Sequence, residues 1–162
     1  MNINMNNITE PGNRPFTSEE TRTFLALVDM IIPASDEFTI PGASDTVIFN
    51  SIIANSAKNH QQILKALSAL ETLAQERESA GFADLLVDQR ERIVKIFRET
   101  YPVEANMFEN LTSKCYYQDD RIMISLGMEP RPPHPEGFTV EQGDWSLLEP
   151  VRKREKFYRK PK

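Results

Sequence analysis

The sequence predicts an all-α protein, and three observations support this class. Apolar residues recur at helical spacing through most of the chain, as at Phe24, Leu27, Val28 and Ile31. Helix start signals precede these stretches. No segment alternates apolar and polar residues convincingly, as a half-buried strand would. With 162 residues, the chain is long enough for one compact bundle of about five to six helices.

The composition divides the chain into three predicted segments. Residues 1–16 are rich in Asn, Pro and Gly and are expected to be flexible. Residues 17–127 carry the helical patterns and form the predicted helical domain. Residues 128–162 hold six of the eleven prolines, which predicts an extended, Pro-rich C-terminal arm.

Start signals place five helices, beginning near residues 17, 45, 88, 102 and 120, and an apolar stripe from Ile63 to Ala74 places another, beginning near residue 60. A hydroxyl or carboxylate before a helix accepts hydrogen bonds from first-turn N–H groups, and proline fits the first turn. The signals are the Thr17–Glu20 capping box, Ser44 or Asp45, Asp88 with Glu91, Pro102, and Asp119 or Asp120.

Stop signals and periodicity complete the helix predictions. Pro33 ends the first helix near Ile32, and Gly81 is the expected terminator of the third. Asn55 to Asn59 is a weak stretch where the second helix is expected to break before His60. The apolar candidates for the inward face of the second helix are Val47, Ile48, Ile52 and Ile53. For the fifth helix the predicted inward set is Val103, Met107, Phe108, Leu111 and Cys115.

Composition and motifs exclude several classes of function. The net charge of −5 excludes a generally basic nucleic-acid-binding protein, and no apolar run approaches the ~20 residues that span a bilayer. A single cysteine excludes an intramolecular disulfide. The sequence contains no CxxC, GxGxxG, GxxxxGK[ST] or GxSxG pattern, and its two histidines lie 74 positions apart. We therefore expect no catalytic, cofactor-binding or metal-binding residue in this chain.

Three groups near the end of the fifth helix have both a structural and a chemical interpretation. Cys115 fits a buried thiol better than a nucleophile. Asp119 and Asp120 fit a helix cap better than a catalytic carboxylate pair, because adjacent residues do not face each other on a helix. The pair Tyr116 and Tyr117 fits one inward and one outward ring, with ring stacking on a ligand as the alternative.

The arm is unusually rich in aromatic residues for a tail, and aromatic and Arg side chains are typical interface anchors. We therefore expect it to lie along a surface of the bundle or of another chain. Residues 147–162 contain seven Lys or Arg against two Glu. This basic stretch has three interpretations: a solvated end, a segment docked on an acidic partner or on the acidic body, or a site for nucleic acid or anionic lipid.

Two motif regions resemble a known family, gluconate 2-dehydrogenase subunit 3. The first is Leu25 to Asp36, which contains Ile31-Ile32-Pro33-Ala34, followed by Pro41-Gly42-Ala43. The second runs from Tyr116-Tyr117 through Leu126-Gly127 to the Pro-rich stretch ending at Gly137. The resemblance covers about residues 17–138; Met128 stands where an aromatic often follows Leu-Gly.

The resemblance implies a non-catalytic accessory subunit of a large FAD-dependent oxidoreductase of the glucose-methanol-choline type, acting on sugars, sugar acids or glycosides. FAD and the catalytic residues would belong to the partner, and the resemblance allows an electron-accepting cytochrome as a further partner. Members often begin with a twin-arginine signal, and this sequence has none. We therefore expect a cytoplasmic complex, with a periplasmic location by co-export as the alternative.

The predicted partner interface consists of seven residues, with the Pro33–Ala43 loop as second choice. They are Tyr116, Tyr117, Arg121, Pro132, Pro133, Phe138 and Trp145. The main alternative is an autonomous helical ligand-binding protein or enzyme with a pocket near the two tyrosines. A weaker alternative is a nucleic-acid-binding adaptor that acts through the basic tail.

Overall fold

A computed structural model describes residues 14–132, 134–139 and 141–155. They form two compact units, one ending at Pro130 and the other beginning at Arg131. None of the described residues belongs to a strand, apart from an isolated antiparallel bridge between Ser35 and Ile40. The all-α prediction is confirmed.

The described residues of the first unit, 14–130, form six α-helices and two short 3-10 helices. They are α1 (Ser18–Ile31), α2 (Thr46–Asn55), a 3-10 helix (Ser56–Asn59), α3 (His60–Glu78), a 3-10 helix (Phe82–Asp84), α4 (Val87–Thr100), α5 (Pro102–Tyr116) and α6 (Asp120–Ser125). Helix α5 contacts each of α1, α2, α3 and α4, so it lies at the centre of the bundle. The predicted break between the second and third helices is the 3-10 helix that starts at Ser56.

The core joins aromatic and aliphatic side chains from all six helices. Phe24 of α1 contacts Phe49 of α2 and Phe108 of α5 through tilted or edge-on rings, with centroids 5.6 and 5.4 Å apart. Phe97 of α4 and Ile122 of α6 are also buried. Phe16 lies before α1 and packs against Phe24 and the buried His60.

Most predicted helix starts are confirmed. Thr17 and Glu20 form the predicted capping box, in which each side chain accepts a hydrogen bond from the other residue's N–H. Pro102 begins α5, and Asp119 caps α6 by accepting from the N–H of Arg121. Asp45 caps α2 by accepting from the first-turn N–H groups.

Two boundary predictions are wrong. Asp88 does not cap α4, because the helix already begins at Val87 and the side chain of Gln89 accepts from the N–H of Leu86, at 2.9 Å. Gly81 does not terminate α3; Ser79 takes the left-handed conformation there, with φ +56°.

Two residues predicted to face inward are exposed. Val103 is 65% exposed because it lies two positions before the buried Ala105, which turns it about 200° away from the core-facing side of α5. Val47 is 62% exposed, although its fellow candidates Ile48 and Ile52 are buried; it lies about 100° from Ile48 around the helix axis and so turns away from the core.

The second unit contains more helix than the extended arm that the sequence predicts. A 3-10 helix spans Trp145–Leu148 and continues into α7, Glu149–Arg152. Asp144 starts it by accepting from the N–H of Ser146, at 2.9 Å, and Pro150 occupies the first turn of α7. Pro133, most of the predicted flexible N-terminal segment and the end of the basic tail lie outside the described residues.

No helix in the described part of the chain is long and apolar enough to cross a membrane.

Candidate partner interface

The segment between α1 and α2 folds back sharply on itself. Ser35 and Ile40 exchange backbone hydrogen bonds of 3.1 and 3.2 Å, and the N–H of Ala43 donates to the carbonyl of Ile32, at 2.8 Å. Gly42 is buried at this crossing, where a Cβ would lie 2.6 Å from the backbone nitrogen of Ala34. Only a residue without a side chain fits there, so the glycine of the Pro-Gly-Ala sequence is explained by backbone contact.

The end of α5 contacts this segment. The hydroxyl of Tyr116 donates a hydrogen bond to the carbonyl of Pro41, at 3.0 Å, across 75 positions of sequence. Tyr116 is buried, and burial raises the pKa of its hydroxyl. Tyr117 packs edge-on against Tyr116 and is itself exposed, which confirms the prediction of one inward and one outward ring.

Arg121 joins the starts of two helices. Its guanidinium binds both carboxylate oxygens of Asp119, each at 2.9 Å, and also donates to Asp45, at 2.6 Å. Asp119 and Asp45 cap α6 and α2, so one arginine connects both caps. The hydrogen bonds from Arg121 lower the pKa of Asp119 and of Asp45. Both carboxylates are therefore held in the charged form that a helix N-terminus favours.

The short helix α6 ends in a glycine cap. Gly127 has φ +72°, and the N–H of Met128 donates to the carbonyl of Met123, at 2.9 Å. This is the geometry that glycine permits after a helix. The Leu126-Gly127 pair is thus explained by the way in which α6 stops.

Two open clefts flank Arg121. A cleft of about 400 Å³ is lined by Val47, Cys115 and Asp120, and one of about 610 Å³ by Phe38, Ile40 and Ser125; Arg121 lines both. Large apolar side chains are exposed on the same elements. They are Phe38 (68%), Val47 (62%), Tyr117 (55%), Ile124 (61%), Leu126 (55%) and Met128 (54%). We call these six residues together with Arg121 the loop–α6 surface.

The predicted interface residues divide between the two units. Tyr117 and Arg121 lie on the loop–α6 surface, while Tyr116 lies beneath it and supports it. Pro132, Phe138 and Trp145 belong to the second unit and are exposed. The guanidinium of Arg131 lies 5.2 Å from the centre of the Phe138 ring and donates to the carbonyl of Gly137, at 2.6 Å.

The exposure of the apolar side chains of Phe38, Ile124 and Leu126 was not predicted from the sequence. Phe38 falls within the Pro33–Ala43 loop, which was the second choice for the interface. The signal for Ile124 was available: a six-residue helix that buries Ile122 turns the residue two positions later to the opposite side.

The structural interpretations of Cys115 as a buried thiol and of Asp119 as a helix cap agree with the structure. Asp119 is also bound to Arg121. Among the described residues, no group of three or more His, Cys, Asp or Glu side chains is arranged to hold a metal ion.

The fold and these contacts define a class: a small all-α protein whose two recognisable motif regions are joined by the Tyr116–Pro41 hydrogen bond and carry exposed apolar side chains. The family model described as gluconate 2-dehydrogenase subunit 3 matches residues 18–126, more than half of the chain, and the protein therefore belongs to that family. Comparisons with curated proteins and with solved structures found no match.

Proposed function

We propose that this protein is a non-catalytic accessory subunit that binds and stabilises a large FAD-dependent oxidoreductase of the glucose-methanol-choline type, acting on sugars, sugar acids or glycosides. Family membership supports the subunit role. The observation that carries the interface is the loop–α6 surface, where both family motifs meet around Arg121. In this proposal FAD and the catalytic residues belong to the partner chain. The complex is cytoplasmic, or periplasmic if it is exported together with its partner.

The character of the surface supports a protein partner. Six large apolar side chains exposed on neighbouring elements are more than isolated apolar residues on a monomer require, and such patches mark interaction sites. Arg121 lies among them with its side chain 47% exposed, and arginine is enriched at interface centres.

The surface is also held in shape before any partner arrives. The Tyr116–Pro41 hydrogen bond fixes the loop to α5, and the Arg121 ion pairs fix α6 to the start of α2. Preorganisation of this kind reduces the ordering cost of binding. We further propose that Tyr117 and Arg121 contact the partner directly, with Tyr116 as support, and that Pro132, Pro133, Phe138 and Trp145 extend the contact.

Binding would stabilise both chains by mass action. A partner that binds only the folded state adds about 2.7 kcal/mol when it is present at 100 times its Kd. A flavoprotein that exposes the matching apolar surface when alone would be poorly soluble without this subunit.

Co-purification tests the proposal. The full chain is co-expressed with a GxGxxG-containing flavoprotein of the glucose-methanol-choline type from the same genome. It is then captured by affinity tag and analysed by size-exclusion chromatography with flavin absorbance. We expect a complex containing both chains, and more soluble flavoprotein with the subunit than without it. A monodisperse chain that captures no flavoprotein would refute the proposal. Sugar-dependent dye reduction by the isolated chain would instead favour the autonomous enzyme.

A further inference from the structure

We propose that the segment from Trp145 to Arg154 is a two-part docking element, whose apolar face enters a groove on the catalytic flavoprotein while its basic end pairs with carboxylates that rim the groove. The inference rests on the proposed function and adds the chemistry of the partner's surface.

The apolar part is one side of a short helical segment. Four large apolar side chains are exposed on it: Trp145 (58%), Leu147 (73%), Leu148 (40%) and Val151 (55%). Successive residues turn by about 120° in a 3-10 helix and by about 100° in an α-helix. These four side chains therefore fall within about 120° of arc, while Ser146 and Glu149 point the other way.

The basic part follows directly. Arg152, Lys153 and Arg154 are consecutive and exposed, and Arg152 borders the apolar arc. Over residues 147–162 the sequence carries seven Lys or Arg against two Glu, although the whole chain has a net charge of −5. An occupant that covers the arc must therefore offer apolar surface next to negative charge.

The segment has a defined helical conformation, and this favours a shaped groove on a protein as its binding site. Asp144 caps the 3-10 helix and Glu149 pairs with Arg152, at 3.2 Å, so the anchors are held in a helical conformation before binding. Outside residues 147–162 this chain is itself acidic, so a second copy is the competing occupant, and its self-association is one of the outcomes measured below.

The two parts predict different kinetic effects. Charges at the edge of an interface mainly set the association rate and its salt dependence, whereas buried aromatic and aliphatic anchors mainly set the dissociation rate. Arg152→Glu, Lys153→Glu and Arg154→Glu together should lower the association rate about 10-fold at low salt and flatten its salt dependence. Trp145→Ala with Leu148→Ala should raise the dissociation rate by about 30-fold or more.

Matched controls exist on the bundle. Lys58→Glu, Lys65→Glu and Lys95→Glu together change the net charge equally at exposed positions, and Val87→Ala with Val103→Ala shortens two exposed apolar side chains. Both controls should leave the two rate constants within about 2-fold of the unmodified chain. All variants are full-length, and their folding is checked by far-UV circular dichroism and by melting temperature.

The experiment measures association and dissociation of each full-length chain on the immobilised flavoprotein by surface plasmon resonance at several salt concentrations. The rate changes given above, absent from the controls, support the inference. If the unmodified chain binds but both segment variants bind equally well, the docking element is refuted and the proposed function stands. If the unmodified chain does not bind, the proposed function fails and the inference fails with it.

Two further outcomes would overturn the inference in favour of another occupant. One is self-association of the chain, measured by analytical ultracentrifugation, that the basic-end variant abolishes. The other is binding to duplex DNA or to phosphatidylglycerol vesicles that depends on the same residues and is tighter than binding to the flavoprotein.

Discussion

Gly42→Ala should be among the most destabilising single-methyl changes in this protein. The added Cβ would lie 2.6 Å from the nitrogen of Ala34 and 3.0 Å from the carbonyl oxygen of Ile32, whereas ordinary contacts begin at 3.4 Å. These neighbours are backbone atoms, so relief requires movement of the chain itself. The movement would also disturb the adjacent hydrogen bond from Ala43 to Ile32. Overpacking of a fixed, buried site typically costs about 1–3 kcal/mol, and backbone neighbours place this change near 3.

Urea and thermal unfolding followed by circular dichroism measure this effect. A loss of about 3 kcal/mol corresponds to a fall in Tm of roughly 6–15 °C for a domain of this size. Two other glycines are controls. Gly143→Ala meets no atom within 4 Å and should be neutral, and Gly127→Ala has open space but φ +72°, so it should cost about 1 kcal/mol. A Gly42→Ala variant within about 0.5 kcal/mol of the unmodified protein would refute the backbone-crossing explanation.

The remaining predictions concern the residues beneath the loop–α6 surface. Tyr116→Phe removes a partly buried hydrogen bond and should lower the free energy of unfolding by about 1 kcal/mol in urea titrations. Tyr117→Phe, at an exposed residue, should change it little, and equal effects of the two changes would contradict the assignment. A double-mutant cycle between Arg121 and Asp45 should give a coupling of about 0.5–1 kcal/mol, since the pair is partly exposed, and zero coupling would mean that the ion pair adds no stability. The folded-state pKa values of Asp45 and Asp119 are depressed. The stabilisation that these two carboxylates give the folded state is therefore full above the usual pKa of 3.8 and is lost as the pH falls through the lower folded-state values. Urea midpoints measured from about pH 7 down to about pH 3 should consequently fall less in Arg121→Met than in the unmodified chain.

Local signals predicted much of the bundle because they act over three or four residues. The Thr17–Glu20 capping box, Pro102 at the start of α5 and Asp119 before α6 each satisfy N–H groups that lie close in sequence. Because these signals act only over three or four residues, they also explain the error at the start of α4. Asp88 and Gln89 both lie where a cap could form, and the choice between them depends on where α4 meets the bundle.

Contacts between distant residues could not be read from the sequence. The pairing of Arg121 with Asp45 spans 76 positions, and that of Tyr116 with Pro41 spans 75. Neither partner carries a local signal for the other, because their approach depends on how α2 packs against α5. The sequence thus indicated both motif regions but not the contacts that join them.

Helical turns in the second unit were missed for a related reason. Proline-rich stretches favour extended chain, and the six prolines after residue 127 led to that prediction. Asp144 and Pro150 are nevertheless helix-start signals of the kind that was recognised at Asp119 and Pro102. The density of prolines around residue 132 outweighed these local signals.

The affinity of a Phe38→Asp variant for the flavoprotein tests the central claim most directly. Phe38 is exposed on the loop–α6 surface, so the change should leave the melting temperature nearly unaltered. If the surface is the interface, the variant must bury an unpaired charge, and its Kd should rise at least about 30-fold. Val103→Asp, at an equally exposed position in the first turn of α5, is the control and should bind normally. Equal Kd values for Phe38→Asp, Val103→Asp and the unmodified chain would contradict the account.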